Sequence, residues 1–404
     1  MGTHHAAGDQ AASEPLHLGG LSRQQELRQG IMSLHPDRYD AEGILSGLLR
    51  WVEIDTPTGE VPGMSRLLDR VAGDFAPLGA AMTRIPGRDG LGDHLLVRMP
   101  WGSGPGILSV AHLDTVCVPG TVRTGRDGER CYGPGIADMK GGAFLTLEAA
   151  RRIAALPGQA PLPFTVLFTS DEEIGSPTSR DVIADLSRDA RFALIAEPAR
   201  RDEVVTVRKG RAKYRIDVTG RAAHAGSAHG EGRSAVSELA RHIVALDGLT
   251  DDGTGTTINV GEIGGGTATN VVAERAFCHV DLRFSDNALG VALDRTIHGL
   301  RPIGRDMRIT VTGEIEKPCL ERSAATLELF EIARRLCAEA GIALSETGSG
   351  GGSDGNFTAA YGVPTLDGLG VIGNTWHSPD EHIVVPALPR RAALMEALLR
   401  ELGR

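Results

Sequence analysis

The chain has 404 residues, 41% of them hydrophobic, and a net charge of −10 in which acidic and basic side chains are interspersed. This length predicts two or three cores rather than one, and the lack of a basic run or aromatic-basic cluster argues against a nucleic-acid partner. No run of about 18 apolar residues and no basic-then-apolar leader occurs, and the five cysteines show no C-x-x-C spacing, so a cytoplasmic, reduced protein with no membrane span is expected.

Residues 1–20 read as disordered, with His4-His5 a weak metal signal. From Arg23 to Val52 the pattern is helical, with Ile44, Leu45, Leu48, Leu49 and Val52 on one stripe, and Met64 to Phe75 repeats it. Strands are expected at Met82-Ile85 and His94-Met99. The run from Ile107 to Ala111 then reads as a buried parallel strand ending in His112-Leu113-Asp114. Alternation puts His112 and Asp114 on one face, where a carboxylate can take the second imidazole proton and orient the ring. The turn from Gly133 to Asp138 brings another carboxylate, and a helix follows to Ala155. Phe164 to Thr169 ends in Asp171-Glu172-Glu173, and Ala193 to Ala196 ends in Glu197. Three apolar runs thus finish in potential ligands, as expected beyond the carboxyl ends of strands in an open α/β sheet.

The next hundred residues alternate differently. Tyr214-Val218, Thr257-Val260, Ala276-Phe284 and Met307-Val311 read as strands, with helices at Ala235-Leu246 and Leu289-Leu300. The order strand-helix-strand-strand-helix-strand predicts a ferredoxin-like α+β unit over 210–317, inserted into an α/β catalytic domain with a mixed sheet made of 21–209 and 318–404. A helix from Ala325 to Ala340, a strand near Ile342-Leu344, a glycine-rich loop from Gly348 to Gly355, a strand at Thr365-Leu366 and a helix from Arg390 to Leu402 complete the pattern.

His112, Asp138, Glu173, Glu197 and His377 offer two imidazoles and three carboxylates, a donor set suited to zinc or a similar borderline ion, with one carboxylate able to bridge two. Two ions can hold a hydroxide and polarise a carbonyl, which is what amide hydrolysis without a covalent intermediate requires, and Glu172 beside Glu173 can serve as general base.

His112-x-Asp114, Gly135-x-x-Asp138-Met139-Lys140-Gly141-Gly142, Asp171-Glu172-Glu173, Glu197-Pro198, Gly220-x-x-x-His224-Ala225-Gly226 and the late His377 together resemble the zinc-dependent family of glutamate carboxypeptidase, acetylornithine deacetylase and succinyl-diaminopimelate desuccinylase. The tract Cys131-Tyr132-Gly133-Pro134-Gly135-Ile136-Ala137-Asp138 is similar to the folate-cleaving carboxypeptidase branch. The resemblance implies a zinc-peptidase-like fold and two Zn2+ per subunit, with Co2+ or Mn2+ as substitutes. It implies Asp138 as the bridge, His112 and Glu197 on one ion, Glu173 and His377 on the other, Asp114 as orienter and Glu172 as base. It implies that His224 reaches the scissile carbonyl, often across a homodimer formed through 210–317, and that Arg283 and Asn270 hold the substrate carboxylate and the oxyanion. Gly352 and Lys317 fall where the substrate is expected to bind. Lys317-Pro318 stands where the branch has arginine-proline, and no lysine follows Glu197 closely. The expected substrate is an N-acyl amino acid or short peptide-like molecule.

Two other readings remain open on residues alone. Gly351-Gly352-Ser353-Asp354-Gly355 fits a nucleophile elbow, with Asp367 or Asp380 and His377 as partners. A non-catalytic paralogue using the same cleft is the second.

Overall fold

The computed structural model describes residues 1–2, 34–156 and 162–403. The leader expected to be disordered, beyond residue 2, with His4-His5 and the helical pattern expected before residue 34, lies outside them. Within them the first helix, α1 (Ala41–Val52), contains the whole apolar stripe, and residues 34–40 of the expected helical pattern are not α-helical. Pro36–Arg38 is a single 3-10 turn, and the Asp40 carboxylate accepts from the Glu42 and Gly43 N–H groups, capping the helix there.

The elements that follow are α2 (Val61–Phe75), β1 (Ala81–Ile85), β2 (His94–Arg98), β3 (Gly106–His112), β4 (Gly125–Asp127), β5 (Arg130–Tyr132), α3 (Lys140–Ala154), β6 (Phe164–Thr169), α4 (Arg180–Ser187), β7 (Ala190–Ile195) and β8 (Glu203–Arg208). A second group comprises β9 (Gly210–Thr219), α5 (Ala235–Asp247), β10 (Thr257–Gly265), β11 (Arg275–Phe284), α6 (Asn287–His298) and β12 (Arg308–Lys317). The chain ends with α7 (Ala324–Glu339), β13 (Ser345–Ser349), α8 (Gly355–Ala360), β14 (Thr365–Leu366), β15 (Gly373–Asn374), β16 (His382–Val384) and α9 (Leu388–Glu401).

The main sheet is mixed, in the order β1-β2-β6-β3-β7-β14. β6, β3, β7 and β14 run parallel, with β2 antiparallel to β6 at one side. In β3, Ile107 and Ala111 pack into the core that includes α1, α2, α3 and α9, while Leu108 and Val110 face a smaller cluster with Ile183 and Phe357. Both faces are covered, so the strand reads as a continuous apolar run. His112 pairs in register with Thr169, and Val110 with Ile195, so the three strands end at one edge.

Residues 210–317 form an antiparallel sheet, β10-β11-β9-β12, the ferredoxin-like order. Ala212, Tyr214, Ile216 and Val218 of β9 and Cys278, Val280 and Leu282 of β11 point to one face and bury their own core with α5 and α6. The strand expected near Ile342-Leu344 begins instead at Ser345, where the backbone pairs in parallel with β8, so Gly348 and Ser349 belong to a strand rather than to a loop.

Candidate metal centre and cleft

Five backbone devices set the site. His112 closes β3, with its Nδ1 2.9 Å from the Asp114 carbonyl oxygen and 3.6 Å from the Asp114 carboxylate. The expected orienter therefore acts mainly through its backbone, and the bond leaves Nε2 as the free donor. The Asp114 carboxylate does something else: it accepts from Thr58 Oγ1 and from the Glu172 and Glu173 N–H groups. It thereby holds the next acidic segment, and burial pushes its pKa up to about 7.

That segment is a 3-10 turn, Glu172–Ile174, rather than a strand end, closed by Gly175 at φ 102°. Asp171 ties it down, accepting from the N–H and hydroxyl groups of both Thr178 and Ser179. Asp138 ends the turn after β5, and Glu197 follows β7. His377 sits at φ 63°, a conformation a non-glycine residue rarely adopts without a constraint from its surroundings.

All five predicted donors converge. Asp138 Oδ1 lies 3.0 Å from His112 Nε2 and Asp138 Oδ2 lies 3.2 Å from His377 Nε2. Glu197 is 3.8 Å from His112 Nε2, and Glu173 is 3.1 Å from His377 Nε2. Asp138 thus stands between two imidazole-carboxylate pairs, and His112, Asp138 and Glu173 offer ligand atoms that all lie within 4.8 Å of one another. The charge balance points the same way. Burial opposes a charged His112, yet Asp138, Glu197 and Glu172 carry its pKa well above the ordinary value, and hydrogen bonding to Asp138 and Glu173 takes His377 to about 10. Burial and the Asp138 charge push Glu197 up, whereas the two imidazoles pull Asp138 down despite its burial. A largely buried set this short of positive charge, open to the cleft at His377 and with N and O donors, fits divalent cations.

Glu172 is buried at the same centre and pairs with Lys317, which is 1% exposed. Burial raises the Glu172 pKa, and the ammonium more than reverses that. Lys317 also lies 3.9 Å from Asp354. It is therefore sealed beneath the cleft and not free to meet a substrate carboxylate, which corrects its expected role. Gly352 lines the cleft directly above it, and a Cβ there would sit 2.9 Å from Lys317 Cδ.

The cleft, of about 370 Å³, is lined by Asp138, Glu172, Glu173, Glu197, His377 and Gly352, together with Arg200, Arg208 and Trp376. His224, Asn270 and Arg283 are not among its lining residues. His224 is exposed, and its Nδ1 accepts from the Gly226 and Ser227 N–H groups. Asn270 adjoins it, its carbonyl accepting from Ala225 N–H, and Arg283 is paired with Asp281 at 2.6 Å. Ser353 is wholly buried, and its hydroxyl donates to Asp367, which is already bidentate to Arg208; among the described residues no histidine contacts it. The elbow reading fails because the serine has neither a base nor access.

Sequence reading missed Glu381. It is buried, and its carboxylate accepts from the Gly135, Ala137 and Asp138 N–H groups at 2.8–3.0 Å. The pairing of β16 with β5 brings it there. Its position four residues after His377 was the only local hint. Arg208 was also missed, although the apolar run Val204-Val205-Thr206-Val207 marks the strand that carries it.

A mixed-sheet α/β core with a largely buried histidine-carboxylate centre beyond its strand ends is the arrangement of a metal-dependent hydrolase. Residues 108–401 match Peptidase family M20/M25/M40, and the chain belongs to that family. It is 28% identical over 373 residues to carboxypeptidase G2 of Pseudomonas sp. (strain RS-16), covering 89% of each chain. It is 28% identical over 401 residues to a succinyl-diaminopimelate desuccinylase of Gluconacetobacter diazotrophicus, covering 92% of this chain and 94% of the other. The fold is similar, at TM-score 0.67 and 14% identity over 90% of this chain and 98% of the other, to Bacillus subtilis YxeP, described as a dinuclear metal binding peptidase.

Proposed function

We propose that this protein is a two-metal amidohydrolase that cleaves the amide of an N-acyl amino acid or releases a C-terminal amino acid. The observation that carries the reading is Asp138, whose two oxygens face two separate imidazoles, each with its own carboxylate. His112 and Glu197 would hold one cation, Glu173 and His377 the other, with Asp138 shared. Zn2+ suits this donor set, and Co2+ or Mn2+ can replace it. Bound there, the cations would polarise the scissile carbonyl and acidify a water. Glu172 would serve as the base that accepts a proton from the attacking water and as the acid that returns it to the leaving nitrogen, while Lys317 keeps the carboxylate ionised and fixed in direction. Asp114 holds the backbone of Glu172 and Glu173. His224, with Nδ1 accepting from two amides, presents Nε2–H as a donor to the carbonyl oxygen, and with Asn270 and Arg283 it would act from a homodimer built through residues 210–317. A deacetylase- or desuccinylase-type specificity is the alternative within the same chemistry. The non-catalytic reading finds no support, since Glu172 and all five donors are present.

The test is metal content and turnover together. Chelator-stripped protein should lose activity against N-acyl amino acids and regain it as about two Zn2+ bind per chain. Glu172→Gln should keep both ions and lose turnover by about 10²–10⁴-fold. Saturation at one ion, or full turnover in E172Q, refutes the assignment.

A further inference from the structure

The charges lining the cleft single out one residue. Arg208 is saturated by Asp367 at 2.7 and 2.9 Å, with Ser349 and Gly351 taking its remaining edge. Lys317 is held by Glu172 and Asp354 below the floor. Arg200 is different. It is exposed at the cleft, and among the described residues its guanidinium makes no ion pair or hydrogen bond; it lies over the Trp376 ring, 5.3 Å from the centroid.

Both partners are fixed by backbone. Arg200 follows Glu197 by three residues, and Ala199 between them is tied to the neighbouring segment by Ala199 N–H to Val371 O and Gly373 N–H to Ala199 O, each 2.9 Å. That segment leads to Trp376, the residue before His377. The Arg200–Trp376 contact therefore bridges the two chain segments that carry candidate ligands from opposite halves of the centre. Glu203, which also lines the cleft, is already engaged: it accepts from the Arg200 backbone N–H and lies 3.7 Å from Arg201.

A guanidinium held over an indole ring loses less freedom when bound than one free in solvent, and it presents a row of parallel N–H donors, the geometry that matches a carboxylate. We propose that Arg200, on its Trp376 platform, is a specificity-determining residue that binds a carboxylate of the substrate additional to the one on its terminal amino acid. This rests on the amidohydrolase reading above. The carboxylate can belong to a dicarboxylic acyl group or to an acidic side chain on the released amino acid.

Zn2+-loaded full-length protein would be assayed on two matched pairs, N-succinyl against N-butyryl derivatives of one amino acid, and N-acetylglutamate against N-acetylglutamine. In one pair the carboxylated member should be favoured on the order of 10–100-fold in kcat/KM, mostly through KM. Arg200→Met should bring that ratio close to one, Arg200→Lys should retain part of it, and Trp376→Ala should lower it. The pair that shows the effect identifies the source of the carboxylate. Equal rates within both pairs, or a preference that survives R200M, overturn the role of Arg200 while leaving the hydrolase reading intact. Failure to hydrolyse all four compounds at full metal occupancy overturns both.

Discussion

Removing the Glu381 carboxylate should damage the centre without touching a ligand. The side chain is 1% exposed, and its two oxygens accept three N–H groups from the turn that carries Asp138. Burial pushes its carboxyl pKa up while those N–H groups pull against it. In Glu381→Gln, the amide oxygen can still face Ala137 and Asp138, but the NH2 group must then face Gly135 N–H, donor against donor. One buried donor left unpaired costs about 1–3 kcal/mol, and two charge-assisted bonds weakened to neutral ones add about 1 more. A loss of about 3 kcal/mol is expected for Gln and a larger one for Ala, out of a total stability on the order of 5–15 kcal/mol. Because the turn sets Asp138, metal affinity should also fall about 10–100-fold. Urea unfolding of the stripped protein and competition with a chromophoric chelator measure the two effects. A change below about 0.5 kcal/mol with unaltered metal affinity refutes the claim that these three bonds shape the centre.

Two further outcomes concern the support around Asp138 and Glu197. Gly142 in α3 lies so close to the end of β7 that a Cβ would stand 1.7 Å from the Ala196 carbonyl oxygen, backbone that cannot move without displacing Glu197. Gly142→Ala should therefore lower stability by about 3 kcal/mol or more in thermal or urea unfolding, and a near-neutral result would contradict this packing. Lys140 is fully buried, donating to Ile54 O at 2.8 Å; burial pushes its pKa from 10.5 to about 8, against the pull of Asp55 and Glu381. Between those values the unfolded chain holds a proton that the folded chain has released, so stability relative to Lys140→Met should rise from pH 8 to 10.5, by on the order of 3 kcal/mol. Urea midpoints of the two proteins at pH 7.5 and 10 decide it, and parallel curves would refute it.

The strands that carry His112, Glu172 and Glu197 were legible because each is an apolar run with an abrupt polar end, a signal contained in six or seven residues. The inserted unit was legible for a similar reason, since its strands are half-buried and alternate. β4, β5, β15 and β16 were not, being two or three residues long, with β5 and β16 joined from opposite ends of the chain. Glu172 and Glu173 were expected at a strand end and lie in a 3-10 turn because Asp171 finds Thr178 and Ser179 locally.

What the amino-acid order determined by itself was the donor inventory and the sheet edge where it gathers, because residue type and periodicity are local properties. Only the tertiary structure decided which charges remain free. Arg208, Lys317 and Arg200 look alike along the chain, but Arg208 meets Asp367 from 159 residues away and Lys317 meets Glu172 from 145. Arg200 meets an indole instead. A buried cation is neutralised by whatever the fold sets beside it, and no pattern along the chain encodes that neighbour.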